Sequence, residues 1–329
     1  MRLNDPMLLI TDPHQAALRL RDGGLVAVPT ETVYGLAARA DDPHAVARIY
    51  AAKGRPADHP LIVHVANAAT LDDWAASIPD YASKLAAAFW PGPMTLVVKR
   101  SDRAGDFITG GQDSVAVRVS SHPLMDETLR ALIQLTDDPS IGIAAPSANR
   151  FGRVSPTSAQ HVRDEFVDIL GNDDLILDGG DSAVGVESTI IDCTDEIPQL
   201  LRAGAITVDD IERVTGVVPG MTSTVRASGT LESHYSPSAD VVITDVEGLA
   251  ASHSTAEARV GVLALASVET PVGMVRLSAP TSNDQYAHVL YAALREADAL
   301  QLTTVLAVLP DDSGLGAAVI DRLRRAAHS

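Results

Sequence analysis

The strongest constraint on the fold is an alternation, kept up over some two hundred residues, between short β-branched runs and segments of helical periodicity. Residues 25–28, 61–65, 94–98, 115–119, 141–145, 175–178, 189–193 and 199–201 read as strands, bounded by Gly, Pro, Asp or Ser. Residues 13–22, 44–53, 122–134, 157–168 and 207–215 read as helices. Two more helices are expected over 68–77 and 80–89, divided by Pro79 and closed by Pro91-Gly92-Pro93, and residues 29–36 read as a polar turn. Several strand pairs are joined by short links, so the pattern favours a twisted mixed sheet with flanking helices over a strictly parallel one.

The alternation lapses after residue 216. Residues 218–238 carry Pro219-Gly220, Ser228-Gly229 and Ser236-Pro237 among Thr and Ser, without periodicity, and read as a linker. Beyond it, strands over 241–243, 260–264, 273–277 and 305–309 and helices over 246–257, 284–299 and 315–327 form a smaller, doubly wound, Rossmann-like α/β unit. It lacks a Gly-x-Gly-x-x-Gly turn, so nothing supports a dinucleotide role. The expected division is 1–216, a linker over 217–238, and 239–329. With aromatic residues at 4% of the chain, Ala, Val, Leu and Ile must fill both cores.

Charge and cysteine content narrow the function classes. A formal charge of −18 favours a soluble cytoplasmic protein and opposes broad electrostatic capture of nucleic acid. The single Cys193 excludes an intrachain disulfide and a multi-cysteine zinc site. No apolar run approaches the roughly 20 residues of a membrane helix, and no signal peptide is expected. Walker A, His-Glu-x-x-His and Gly-x-Ser-x-Gly patterns are absent.

What remains is polar residues in places a core would reject. Lys53 and Arg55 sit one residue apart on a loop fixed by Gly54 and Pro56, a point charge and a planar fork suited to polyphosphate or carboxylate. Pro146-Ser147-Ala148-Asn149 follows a strand and offers neutral hydrogen bonds, or a plain turn. Arg118 interrupts the apolar run 115–119 and needs an anion, either an internal Asp or Glu or a substrate carboxylate. His64 breaks a strand in the same way and reads equally as a satisfied core histidine. Thr30-Glu31-Thr32 is a dense polar turn or a cap. Ser188 opens a strand after Gly185-Val186-Glu187, and Arg202 ends one. His234-Tyr235 is an aromatic pair that a free linker has no use for.

Taken in order, Pro29 to Leu36, Lys53-Gly54-Arg55-Pro56, Trp90-Pro91-Gly92-Pro93, Arg118 in its strand, Pro146 to Asn149, Ser155-Pro156-Thr157, Gly185 to Thr189 and Leu201-Arg202-Ala203-Gly204 resemble the YrdC-type threonylcarbamoyl-AMP synthases. The resemblance covers about residues 8–215; the His-Tyr linker and terminal α/β unit extend it to the long, two-domain form. It implies synthesis of threonylcarbamoyl-AMP and pyrophosphate from ATP, L-threonine and bicarbonate, with Mg2+ accompanying the ATP and no metal held by protein side chains alone. The product would pass to a downstream tRNA threonylcarbamoyl transferase. Lys53 and Arg55 are implied as catalytic. With His59, Ser114, Ser147, Asn149, Ser155, Arg202 and Tyr235 they are implied at the ATP site, and Thr32, His64, Arg118, Ala145 and Ser188 at the threonine site. The linker around His234-Tyr235 becomes a candidate lid over labile intermediates. This sequence departs from relatives at Ala227-Ser228-Gly229, where Ala-Pro-Gly is common, at Pro219-Gly220-Met221, and at Ala203, where Pro is common. A non-catalytic RNA-binding factor and carbamoyl-adenylate chemistry on another acceptor are the competing classes.

Overall fold

The computed structural model describes residues 8–171, 173–229, 234–253 and 259–328. The first unit opens with β1 (Leu8–Ile10), α1 (Pro13–Arg21), β2 (Val26–Val28), β3 (Gly35–Arg39), α2 (Pro43–Lys53) and β4 (Ile62–His64). It continues with α3 (Leu71–Trp74), β5 (Ala75–Ser77), α4 (Asp80–Phe89), β6 (Met94–Arg100), α5 (Asp106–Thr109), β7 (Ser114–Arg118) and α6 (Pro123–Thr136). β8 (Ile143–Ala144), α7 (Ala159–Phe166), β9 (Leu175–Leu177), β10 (Thr189–Asp192), β11 (Gln199–Arg202) and α8 (Val208–Thr215) complete it. The second unit is β12 (Asp240–Thr244), α9 (Val246–Ala251), β13 (Val260–Leu263), β14 (Val275–Ser278), α10 (Asn283–Ala299), β15 (Thr304–Val308) and α11 (Gly316–Ala326).

The large sheet is mixed, as the short links require. Its order is β1-β9-β2-β3-β8-β4-β7-β6-β10-β11, with β5 paired to β6. Leu25 and Ala27 join the cluster beneath α2, α4, α7 and α8, whereas Val26 and Val28 join the one beneath α1 and α6. That alternation is the period-two geometry of a strand covered on both faces. The smaller sheet, β12-β15-β13-β14, is entirely parallel. Its principal core also takes in Val33, Val154 and Val186 of the first unit, so the two units share apolar packing.

Several elements differ from the sequence reading. Residues 68–77 do not form one helix. A 3-10 turn over Ala68–Thr70 leads into the short α3, and the chain then straightens into β5, where Ala75 pairs with Arg100. The buried Trp74, whose Nε1 donates to the Ser140 carbonyl, pins that change of direction. The turn at 29–36 closes earlier than expected because Gly35 and Leu36 already pair with β2. α9 ends at Ala251, and residues 254–257 of the expected helix lie outside the described residues. β1 and α5 were not apparent from periodicity, being too short to show one.

The aperiodic 218–238 stretch is docked rather than loose over its described part. Ser223 Oγ donates to Asp192, Arg226 N donates to Gln112, and Ala227 is buried against Ile62, Val97 and Ile190. No described helix is long and apolar enough to cross a membrane.

Candidate active site

The site begins with three neighbouring strands. In the pairing of β4 with β7, His64 lies opposite Arg118, and in the pairing of β7 with β6, Arg118 lies opposite Thr95. Partners in register project to the same face, so an imidazole, a guanidinium and a hydroxyl stand in one row. Thr95 Oγ1 extends the row to Ser188, its hydroxyl 2.8 Å away. Ser188 Oγ accepts in turn from Arg202 Nη2 at 3.1 Å.

Arg118 has an internal anion. Its Nη2 is 2.8 Å from Glu31 Oε1, while Glu31 Oε2 accepts from the Ser120 hydroxyl. Burial alone would raise the Glu31 carboxyl, but the Arg118 charge and the Ser120 hydrogen bond outweigh it and bring the pKa down to about 2. The approach to Arg118 is not aligned as a hydrogen bond, so Arg118 Nε and Nη2 and Glu31 Oε1 keep unused capacity. His64 is neutral: burial first, then the Arg118 charge, hold its pKa near 3, and its Nδ1 is unpartnered.

The second group assembles at the end of α2. Asp42 caps that helix, Pro43 begins it, and Gly54 at φ +62° ends it on a left-handed residue. The turn leaves Lys53 pointing inward. Its Nζ donates to the carbonyls of Ser147 at 2.6 Å and Asn149 at 2.5 Å, so the 146–149 turn meets Lys53 through backbone oxygens rather than side chains. Burial, then the neighbouring Arg55 charge, push the Lys53 pKa well below its ordinary value. The Arg55 guanidinium lies over Phe151 at 5.7 Å, and burial lowers its pKa to about 10.

A cavity lies between the two groups, with Lys53 and Thr95 set behind its wall rather than on it. Thr30, Thr32, His64, Arg118 and Ala145 line one side; Arg55, Ser147, Glu187 and Arg202 line the other. Ser228, Gly229, His234 and Tyr235 of the linker complete its wall. Arg55 Nη2 donates to Ser228 Oγ at 3.1 Å and Arg202 Nη1 to the Ser228 carbonyl at 2.8 Å. Two cations thus grip the linker, and the enclosed volume is about 40 Å3. That is near the share of one water molecule and well below the roughly 300–1,000 Å3 of small-molecule sites. A ligand of ordinary size does not fit beneath the linker as it lies here.

Of ten buried side-chain atoms without a hydrogen-bond partner among the described residues, seven belong to Glu31, Arg55, His64, Arg118, Asn149 and His234. Native interiors leave few such atoms, and their gathering around one cavity marks it as built for a polar ligand.

Not every residue singled out from the sequence lines this cavity. Ser114 lies in an adjoining groove that shares Ile62 and Ser228 with it. Ser155 is fully buried and spends its hydroxyl on Glu187 at 2.6 Å. Ser188 is buried behind Arg202, and His59 is half-buried, edge-on to Phe151 at 5.2 Å. Asn149 donates to the carbonyls of Arg150 and Arg153. Thr95, Ser120 and the carboxylates of Glu31 and Glu187 were not assigned from the sequence. Thr95 had a signal, a polar residue inside the apolar run of β6; the two glutamates show their purpose only through contacts distant in sequence.

Gly229 permits the closed linker. Its φ is +78°, and a Cβ would lie 2.2 Å from the Tyr235 hydroxyl and 2.9 Å from Arg202 Nη1. Gly229→Ala adds strain of about 1–3 kcal/mol to the closed form. Trypsin should then cut after the exposed Arg226 several-fold faster, with the melting temperature nearly unchanged. Cleavage at the wild-type rate would mean the linker is held elsewhere.

Fold and cavity together define a two-unit α/β protein that encloses an arginine-lined pocket beneath its inter-unit linker. Residues 19–204 match the Sua5/YciO/YrdC family model, described as telomere recombination, and residues 206–328 match that of the threonylcarbamoyl-AMP synthase C-terminal domain. The threonylcarbamoyl-AMP synthase of Pyrococcus abyssi is 42% identical over a 327-residue alignment covering 94% of this chain and 92% of that protein. Its counterpart from Bacillus subtilis is 37% identical over 342 residues, covering 98% and 94%. The structure of P. abyssi Sua5 complexed with L-threonine superposes with a TM-score of 0.87 at 39% identity, covering 98% of each chain. The chain belongs to the threonylcarbamoyl-AMP synthase family, in its long two-domain form.

Proposed function

We propose that the protein condenses L-threonine, bicarbonate and ATP into L-threonylcarbamoyl-AMP, releasing pyrophosphate, as the activated donor for a tRNA threonylcarbamoyl transferase. The observation that carries this reading is the cavity itself, where His64 and Arg118 share a wall with Arg55 and Arg202 around a space bordered by unsatisfied polar atoms. A relative 39% identical holds L-threonine.

In this reading the threonine carboxylate takes the open edge of Arg118, flanked by Thr32, neutral His64, the Ala145 backbone and Ser188. The amine then attacks the bicarbonate carbon, water departs, and a carbamate forms. A carbamate oxygen attacks the α-phosphorus of ATP, and the bond to the β-phosphate oxygen breaks. Lys53, Arg55 and Arg202 offset charge on the departing pyrophosphate, with Ser147 and Asn149 fixing the phosphates. His59, Ser114, Ser155 and Tyr235 surround the rest of the nucleotide. Mg2+ would enter as part of the nucleotide substrate and offset charge on its phosphates. Catalysis rests on positioning and electrostatics, with no covalent enzyme intermediate. A closed linker shields the carbamate and the adenylate from water.

The test is pyrophosphate release from ATP and bicarbonate with L-threonine, with L-serine, and with no amino acid. Release that requires both threonine and bicarbonate is expected. Release independent of both, from folded protein, would abandon this reading.

A further inference from the structure

α11 carries an arginine where its pattern calls for an apolar residue. Ala318, Val319, Leu323 and Ala326 are its buried stripe, and Arg322 lies among them with a side chain that is 0% exposed. Nothing in the reaction requires a cation there, since Arg322 does not line the cavity. Its contacts instead run from the second unit into the first. Nε donates to Glu187 Oε2 at 3.0 Å, Nη2 donates to the Ala203 carbonyl at 2.9 Å, and the guanidinium lies 5.2 Å from the centre of the Tyr235 ring. Nη1 is held by Asp321 of the same helix.

Glu187 and Tyr235 are each gripped a second time by α10. The Tyr291 hydroxyl donates to Glu187 Oε2 at 2.8 Å, and its ring stacks on Tyr235 with centroids 5.6 Å apart. Tyr235 therefore sits between a cation and an aromatic ring, both supplied by the second unit. Tyr235 also has φ +65°, which a non-glycine residue keeps only where its surroundings enforce it. Apolar packing repeats the theme, because Val33, Val154 and Val186 insert into the second core beside Thr32, Ser155 and Glu187. An apolar pair would fill the place of Arg322 and Glu187 with less desolvation. What the charged pair adds is direction.

We propose that Arg322 is a positioning residue of the active site, fixing the Glu187-Ser188 turn and the linker tyrosine against the cavity, so that the second unit forms part of the pocket's frame. This rests on the synthase reading, since the turn and the tyrosine matter through the substrates they face.

The experiment compares wild type with Glu187→Gln/Arg322→Met, which removes both charges and leaves no buried carboxylate without its cation, and with Arg322→Lys. Turnover, the KM values for threonine and ATP, melting temperature and hydrogen–deuterium exchange over 184–189 and 234–236 are measured on the full chain. In the double variant kcat should fall about tenfold to a hundredfold, as misplaced groups cost. Exchange should rise in both segments while those of the large sheet stay protected. Arg322→Lys should fall between, keeping the charge on Glu187 but losing the fork to Ala203. Wild-type kcat and wild-type exchange in the double variant would overturn the proposal. Should that variant fail to fold, Tyr291→Phe keeps the ring stack and removes only the hydrogen bond to Glu187; faster exchange over 184–189 supports the proposal, and unchanged exchange with unchanged kcat overturns it. A wild type without threonine-dependent turnover would defeat the synthase reading alone, because exchange still decides whether Arg322 holds the two segments.

Discussion

Lys53→Met is expected to lower the rate of pyrophosphate release about a hundredfold to a thousandfold, the range for loss of one preorganised group facing developing charge. Lys53 ends α2, and its Nζ rests on two carbonyls of the 146–149 turn. In that state burial disfavours the ammonium, so Nζ gains most when a polyphosphate brings negative charge beside it. In the proposed reaction its contribution would therefore grow as pyrophosphate departs. Methionine keeps the aliphatic stem and the packing, so melting temperature should change by only a few degrees. Two unmatched carbonyls account for that change. Near-normal turnover in a folded variant would remove Lys53 from the catalytic assignment.

The second large effect is expected at Arg118. Arg118→Met should raise the KM for threonine about tenfold to a hundredfold, as loss of a charge-assisted hydrogen bond implies, with the KM for ATP nearly unchanged. The same change leaves Glu31 buried without its cation, a loss of about 3–5 kcal/mol. The two consequences separate in Glu31→Gln/Arg118→Met, which removes the orphan carboxylate. Stability should largely return while the KM stays high. Recovery of both together would make Arg118 purely structural. The pH dependence adds a sign. With its pKa at about 2 instead of the ordinary 4.5, Glu31 contributes stability that is present above pH 4.5 and lost as pH falls toward 2. In Arg118→Met burial prevails and the carboxyl titrates above 4.5. The variant should then lose stability as pH rises through that higher pKa, the reverse of wild type, in denaturant titrations at a series of pH values.

Sequence periodicity carried the architecture because both sheets are covered in the ordinary way. Leu25 to Val28 alternates between two cores, and Asp42-Pro43 and Gly54 punctuate α2 as capping chemistry demands. Arg118 and His64 were conspicuous as polar residues in apolar strands, yet nothing local in the sequence tells that Arg118 meets Glu31. That contact depends on a turn brought across the sheet. The stretch 68–77 misled because Ala, Leu and Trp at helical spacing suit a helix, while the pairing of Ala75 with Arg100 is decided by β6. The linker's composition signalled an aperiodic connection, and its docking arises from partners such as Gln112 and Asp192 far upstream. Arg322 is legible in the sequence as a charge inside the apolar stripe of α11.

The row formed by His64, Arg118 and Thr95 has a consequence for how such a site can change over time. Its spacing is set by main-chain pairing between β4, β7 and β6, so the geometry of this row is stored in the sheet. Insertions and deletions in the connecting segments leave that spacing intact. One residue added within Ile62–His64 or Ser114–Arg118 turns the affected side chain to the opposite face. Connections that do not themselves line the cavity can therefore vary in length, while these strands admit substitution but no change of length.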